Sequence, residues 1–149
     1  MCSHSINFQC LTRDVEAEHD LTRVYIEMAE KKVLYIGTHA ADDPEKAALP
    51  FVMACAALSM NIKATIALQG NAVYLAQKGF VDNVLPGGGF PHITELLDNF
   101  MELGGELKVC GPCLESRNIE ESELVEGSQT TAAGALNIEA MEAKAVLVY

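Results

Sequence analysis

Apolar positions in this chain gather into short continuous runs of strand length, separated by stretches with helical spacing. Lys32-Val33-Leu34-Tyr35-Ile36-Gly37 is the first such run. Asp42-Asp43-Pro44 follows, an acidic cap with proline in the first turn, and it predicts a helix reaching about Met60. Pro50 either bends that helix or marks its true start. A second strand is expected over 62–68 and a short helix over 71–78. After the break at Pro86-Gly87-Gly88-Gly89, a helix is expected over 92–103, stopped by Gly104-Gly105. Strand 106–110, a helical turn at 122–125, a weak strand at 128–131, a helix over 132–141 and a last apolar strand over 145–149 complete the pattern.

Strands alternating with helices at this spacing predict a three-layer α/β domain of flavodoxin-like or Rossmann-like kind. Its sheet is mostly parallel, of about five strands, with helices on both faces. The continuous runs VLYIG and AVLVY suit strands buried centrally in such a sheet. Residues 1–31 read differently: they form a polar arm carrying Asp14, Glu16, Glu18, Asp20, Glu27 and Glu30. Within it Val15, Leu21, Val24, Tyr25 and Met28 fall roughly on one face of a helix over 14–30. The expected division is an acidic N-terminal arm at 1–31 and an α/β domain at 32–149. Sites in such domains form beyond the carboxyl ends of the strands, which selects the loops 37–43, from 70 onward, and 110–117.

With 149 residues, half of them apolar, one domain can bury a core that needs neither disulfides nor metal. No apolar run reaches the roughly eighteen residues of a membrane span, and no basic-then-apolar leader opens the chain. A cytoplasmic protein is expected. The formal net charge of -11 argues against nucleic acid and anionic membranes as partners. Five cysteines, an odd number, argue for thiol chemistry or plain burial over a disulfide framework.

One of the selected loops contains two of those thiols. Leu107-Lys108-Val109-Cys110-Gly111-Pro112-Cys113 places Cys110 where a strand ends. If a helix begins after Gly111, the unpaired N–H groups of its first turn favour an anion and lower the Cys110 pKa. Arg117 could add positive charge, and Cys113 has the spacing at which a second thiol can close on the first. His39 follows the first strand and could stabilise or deprotonate Cys110. Other readings remain open. Both cysteines could be small buried hydrophobes. A zinc site would need His39 and His92 to complete a single CxxC. A thioredoxin-type dithiol shares the tetrapeptide, although the chain has no tryptophan and places the motif late. His92 follows a glycine run suited to a lid. Cys55 reads as core or subunit interface, Asp42 and Asp43 as a helix cap, and Glu120, Glu121, Glu123 and Glu126 as a solvated face. No nucleotide-binding glycine pattern and no serine-nucleophile elbow is present, and no cofactor or metal is expected.

The stretch from Lys32 to Tyr149 resembles the DsrE/DsrF-like (TusD-like) sulfur-relay family. The resemblance rests on pieces in order: Gly37-Thr38 leading to Asp42-Asp43-Pro44, the helix containing Pro50-Phe51-Val52-Met53-Ala54-Cys55-Ala56-Ala57, Gln69-Gly70 with Ala72-Val73 and Leu75, and Val109-Cys110 followed by Arg117-Asn118-Ile119. Asn118 stands where glycine is usual. The resemblance implies a small α/β subunit in a homotrimer or homohexamer, with Cys110 accepting a persulfide sulfur from a donor protein and passing it to an acceptor protein. Two alternatives stand beside it: a non-catalytic oligomeric binding module, and a Cys110–Cys113 thiol–disulfide switch.

Overall fold

The computed structural model describes residues 31–149. The arm helix expected over 14–30, with Cys2 and Cys10, lies outside the described residues. Five strands form one all-parallel sheet: β1 (Lys32–Gly37), β2 (Lys63–Leu68), β3 (Glu106–Cys110), β4 (Gln129–Thr131) and β5 (Ala145–Val148). Their order across the sheet is β4-β3-β2-β1-β5. Among the described residues four helices accompany them: α1 (Pro44–Ser59), α2 (Ile93–Glu102), the short α3 (Gly111–Glu115) and α4 (Ala133–Glu142). The expected three-layer α/β architecture is the one observed. The helix expected over 71–78 is a 3-10 segment, Gly70–Ala76, and further 3-10 turns occupy Val81–Asn83 and Glu121–Glu123.

Strand pleating divides the core in two. Tyr35, Ile66, Leu68, Leu107 and Val109 join the large cluster built with α1 and α2, where Phe51 and Phe100 meet edge to face at 6.1 Å. Leu34 and Ala67 face the other way and pack against Leu136 of α4. Local chemistry sets the helix ends. Asp43 caps α1, its carboxylate accepting the Lys46 N–H at 3.2 Å, and α1 begins at Pro44, running through Pro50 without restarting there. After α1, α2 and α3 the chain turns left-handed, at Asn61, Gly104 and Asn118. In each case the next N–H reaches back to an earlier helix carbonyl: Ile62 to Ala57, Gly105 to Phe100, Ile119 to Leu114. The asparagine in the glycine-preferring position after Arg117 is thereby explained, since Asn118 has φ +52° and asparagine tolerates that region better than most residues.

Two expectations need correction. β5 is not central: it pairs with β1 alone and is the sheet's edge, with all four of its residues exposed. α4 packs over Leu34 and Ala67, so β5's apolar run is not explained by burial in this domain. Its Val146 and Val148 are exposed together with Ile138 and Met141 of α4. The glycine run at 87–89 is also no free lid. A Cβ on Gly87 would sit 2.7 Å from the Glu45 backbone nitrogen, so this segment lies tight on the start of α1.

Beneath α4 lies a charge cluster that the apolar pattern conceals. Glu139, 5% exposed, sits between two strand lysines. One carboxylate oxygen is 2.6 Å from Lys32 Nζ without hydrogen-bonding geometry, and the other accepts a hydrogen bond from Lys108 Nζ. Burial opposes the charge on both Lys32 and Glu139, but their mutual attraction overcomes it. The Lys32 pKa is raised, and that of Glu139, which Lys108 also holds, is lowered.

Candidate functional site

β3 ends on Cys110, which is also the residue capping α3. The thiol is therefore delivered by an inner strand to the carboxyl edge of the sheet, where the chain changes direction. Gly111 passes close to β4: a Cβ there would come 3.2 Å from Thr130 Cγ2. Cys113 follows one turn into α3 and is half-buried like Cys110. Its Sγ accepts the backbone N–H of Gly70 at 3.4 Å. Gly70 begins the segment after β2 with φ +56°, a conformation that aims its amide at the sulfur and that a side chain would strain.

Arg117 closes the site on its other flank. It donates through Nη1 to the Cys113 carbonyl (3.1 Å) and Ser116 Oγ (3.1 Å), and through Nη2 to Asn71 Oδ1 (2.9 Å). The guanidinium also lies 5.6 Å from the centroid of the Tyr74 ring, which stacks on Phe80. Arg117 thus clamps the β3–α3 turn to the segment after β2, leaving its charge beside the thiols. Asn71 and Tyr74 escaped the sequence reading beyond their place on a selected loop, because nothing local marks them as partners of a residue more than forty positions away.

The helix start does not lower the Cys110 pKa as expected. Burial, and then a hydrogen bond with the Cys113 thiol, push the Cys110 thiol upward. The Cys113 backbone N–H and the Arg117 charge pull the other way without prevailing. Helix α3 spans only five residues, too short for its dipole to outweigh desolvation. His39 lies on the β1 loop, where its Nδ1 is 2.8 Å from Asp42 Oδ2. Asp42 also accepts the Ala40 N–H, and that bond, followed by the one to His39, lowers its pKa to about 2. The Asp42 carboxylate holds the His39 ring through Nδ1. Among the described residues neither thiol is a hydrogen-bond partner of His39, so Cys110, Cys113 and Arg117 come together and His39 stands apart on the β1 loop, with β2 lying between β1 and β3. His92 caps α2 with its side chain bonded to Thr94, which takes it away from the zinc reading. Among the described residues no three His, Cys, Asp or Glu side chains are grouped as a metal site requires. Cys55 donates to the Leu96 carbonyl at 3.6 Å between α1 and α2, and burial raises its pKa, as suits a core thiol.

The profile of the DsrE/DsrF-like family matches residues 31–149. This chain belongs to the DsrE/DsrF-like family. Among its relatives are two uncharacterized proteins of Methanocaldococcus jannaschii. One is 37% identical over 98 residues, 66% of this chain and 82% of that protein. The other is 34% identical over 131 residues, 80% of this chain but 47% of that longer protein. In structure the chain is similar to the ychN protein from E. coli, with a TM-score of 0.68 and 21% identity over 80% of this chain and 99% of that one. That likeness speaks for the fold. DsrE-like proteins are generally linked to sulfur relay. Among the described residues no helix is long and apolar enough to cross a membrane.

Proposed function

We propose that this protein is a sulfur carrier that holds a persulfide on Cys110 and passes the sulfur to a partner protein. The observation that carries the reading is the placement of Cys110 at the carboxyl end of an inner parallel strand, capping α3, with Arg117 beside it. The Cys110 thiolate attacks the outer sulfur of a donor persulfide, the donor leaves as a thiolate, and Cys110 becomes Cys110–S–SH. Transfer to the acceptor repeats the exchange in the other direction. A thiolate is the reactive form, so the raised pKa holds the empty carrier mostly protonated at neutral pH. Proton removal then belongs to the encounter with the donor, and His39, held by Asp42 on the β1 loop, is the proposed base for it.

The partners in this reading are sulfur donor and acceptor proteins, in the cytoplasm, and the carrier works as a homotrimer or homohexamer. The exposed apolar residues of α4 and β5 support assembly. Light scattering on the purified chain tests that part, and a monomer at micromolar concentration overturns it. For the carrier itself, the reduced protein is incubated with a persulfide donor and weighed intact. One added sulfur on Cys113→Ser, which keeps Cys110 as its carrier thiol, and none on Cys110→Ser is the expected result. No added mass on Cys113→Ser, or equal mass on it and on Cys110→Ser, removes the proposal.

A further inference from the structure

We infer that Cys113 is an internal resolving nucleophile, so that a persulfide on Cys110 finding no acceptor is discharged as hydrosulfide while the two cysteines close into a disulfide. This rests on the carrier reading above and adds a second outcome for the same sulfur. The pair occupies the cap and third positions of α3, neighbours on one side of a helix start, the spacing at which a capping side chain meets the third residue. In the resting site the Cys113 side chain lies close enough to Cys110 to raise its pKa. Of the two, Cys113 is the one whose sulfur accepts a main-chain N–H from a different part of the fold, that of Gly70. That contact seats the Cys113 sulfur at the same turn as Cys110, and Arg117, bonded to the Cys113 carbonyl, fixes the turn that carries it. The geometry divides the roles: Cys110 carries, and Cys113 attacks.

The step balances. The Cys113 thiolate attacks Cys110 Sγ, the inner sulfur of the persulfide. The Sγ–S bond breaks as the Sγ–Sγ bond forms, and the outer sulfur leaves with the electron pair as HS−. The sulfane sulfur is reduced by two electrons, and the two cysteine sulfurs are each oxidised by one. Regeneration needs a dithiol reductant, which opens the disulfide by thiol exchange and becomes oxidised in turn. The substrate class is therefore a protein or low-molecular-weight persulfide, and the products are free sulfide and an oxidised reductant. A carrier with the single Cys110 thiol would need an external thiol to release sulfide.

The test loads reduced wild type, Cys113→Ser and Cys110→Ser with the same persulfide donor and removes excess donor by desalting. Sulfide release and intact mass are then followed without any added thiol. Wild type is expected to lose the added sulfur, release one equivalent of sulfide and end two hydrogens lighter than its reduced form. Cys113→Ser is expected to load equally, keep its persulfide and release only background sulfide. Persistence of the persulfide on wild type for as long as on Cys113→Ser overturns the inference while leaving the carrier intact. Failure of both wild type and Cys113→Ser to load overturns the carrier reading instead, and this inference with it.

Discussion

Removing the lysines around Glu139 is expected to destabilise the fold more than removing Glu139 itself. Glu139 is 5% exposed, whereas Lys32 and Lys108 retain 23% and 20% of their side-chain exposure. In Glu139→Met each lysine can swing its ammonium toward water along a flexible stem, so the loss is chiefly two charge-assisted contacts. Such contacts contribute about 1.5–3 kcal/mol each where well buried. The escape of both lysines brings the expected total to roughly 2 kcal/mol. In the double variant Lys32→Met/Lys108→Met the carboxylate has no such escape. Thr65 and the half-exposed Glu106 do not neutralise it, and an unpaired buried charge costs about 3–5 kcal/mol, or less if it binds a proton. The triple variant, with methionine at all three positions, replaces the cluster by apolar groups of similar volume and should recover most of that loss. Urea unfolding at pH 7 reads these differences. With a slope of about 1–3 kcal/mol per molar urea, the double variant's midpoint falls by at least ~1 M. The pH dependence has a definite sign. Glu139's pKa is lowered from 4.5, so its contribution is present above about that pH and fades as the pH falls through the folded value. Lys32's pKa is raised from 10.5, so its contribution is complete below that pH and is lost as the pH rises through the folded value. The gap between wild type and Glu139→Met should thus be widest across the neutral range and narrow at both ends. A triple variant as unstable as the double, or a Glu139→Met loss equal to the double's, would refute the reasoning.

Three further outcomes are expected. Because burial and the Cys113 thiol raise the Cys110 pKa, alkylation of Cys110 by iodoacetamide should have its midpoint above 9.0, and Cys113→Ser should move it down and speed labelling at pH 7; an unchanged profile in Cys113→Ser counts against the thiol–thiol bond. Arg117→Met removes the bonds to Asn71, Ser116 and the Cys113 carbonyl, and should lower stability by about 1–2 kcal/mol and slow Cys110 labelling at neutral pH; Arg117→Lys, lacking the planar fork, should restore the charge effect on labelling but not the stability. Asn118→Gly should leave the urea midpoint nearly unchanged, whereas Asn118→Val, forced to φ +52°, should lose about 1–2 kcal/mol; equal midpoints would show that the left-handed turn is not held.

The alternation of strands and helices was legible because parallel strands roofed by helices read as continuous apolar runs, and Lys32–Gly37 and Lys63–Leu68 are such strands. The same logic failed for Ala145–Val148, since a run reports the apolarity of a strand and not how many neighbours it pairs with. The seat of Cys110 followed from the strand-end rule. The direction of its pKa shift did not, because that depends on how completely other loops cover it and on a second thiol competing for the proton. Gly70 approaches Cys113 from 43 positions away, and Glu139 reaches Lys108 from 31. Pairings across such distances leave no local signature. Lys32 opens one apolar run and Lys108 sits within another, and nothing local marks them as the partners that let a carboxylate be buried.

For the proposed sulfur carrier, the raised Cys110 pKa bears on why such a site would carry sulfur rather than attack substrates repeatedly. A thiol held protonated at rest reacts slowly with incidental oxidants and electrophiles, because the thiolate is the nucleophile. Loading changes the group that titrates. The ionising sulfur of a persulfide lies one S–S bond, about 2 Å, beyond Cys110 Sγ. It is intrinsically more acidic than a thiol. The loaded site thus ionises more readily than the empty one, and the Arg117 charge gains an anion to oppose. On this view neutral pH suppresses the empty site and favours the charged one, and acquisition of sulfur is the slower half of the cycle. Loading rates measured across pH 6–10 should climb with the Cys110 thiolate, while transfer from the preloaded protein to an acceptor thiol should follow the acceptor's own titration. A loading rate already at its plateau by pH 7 would mean that the donor complex, not the resting site, sets the ionisation of Cys110.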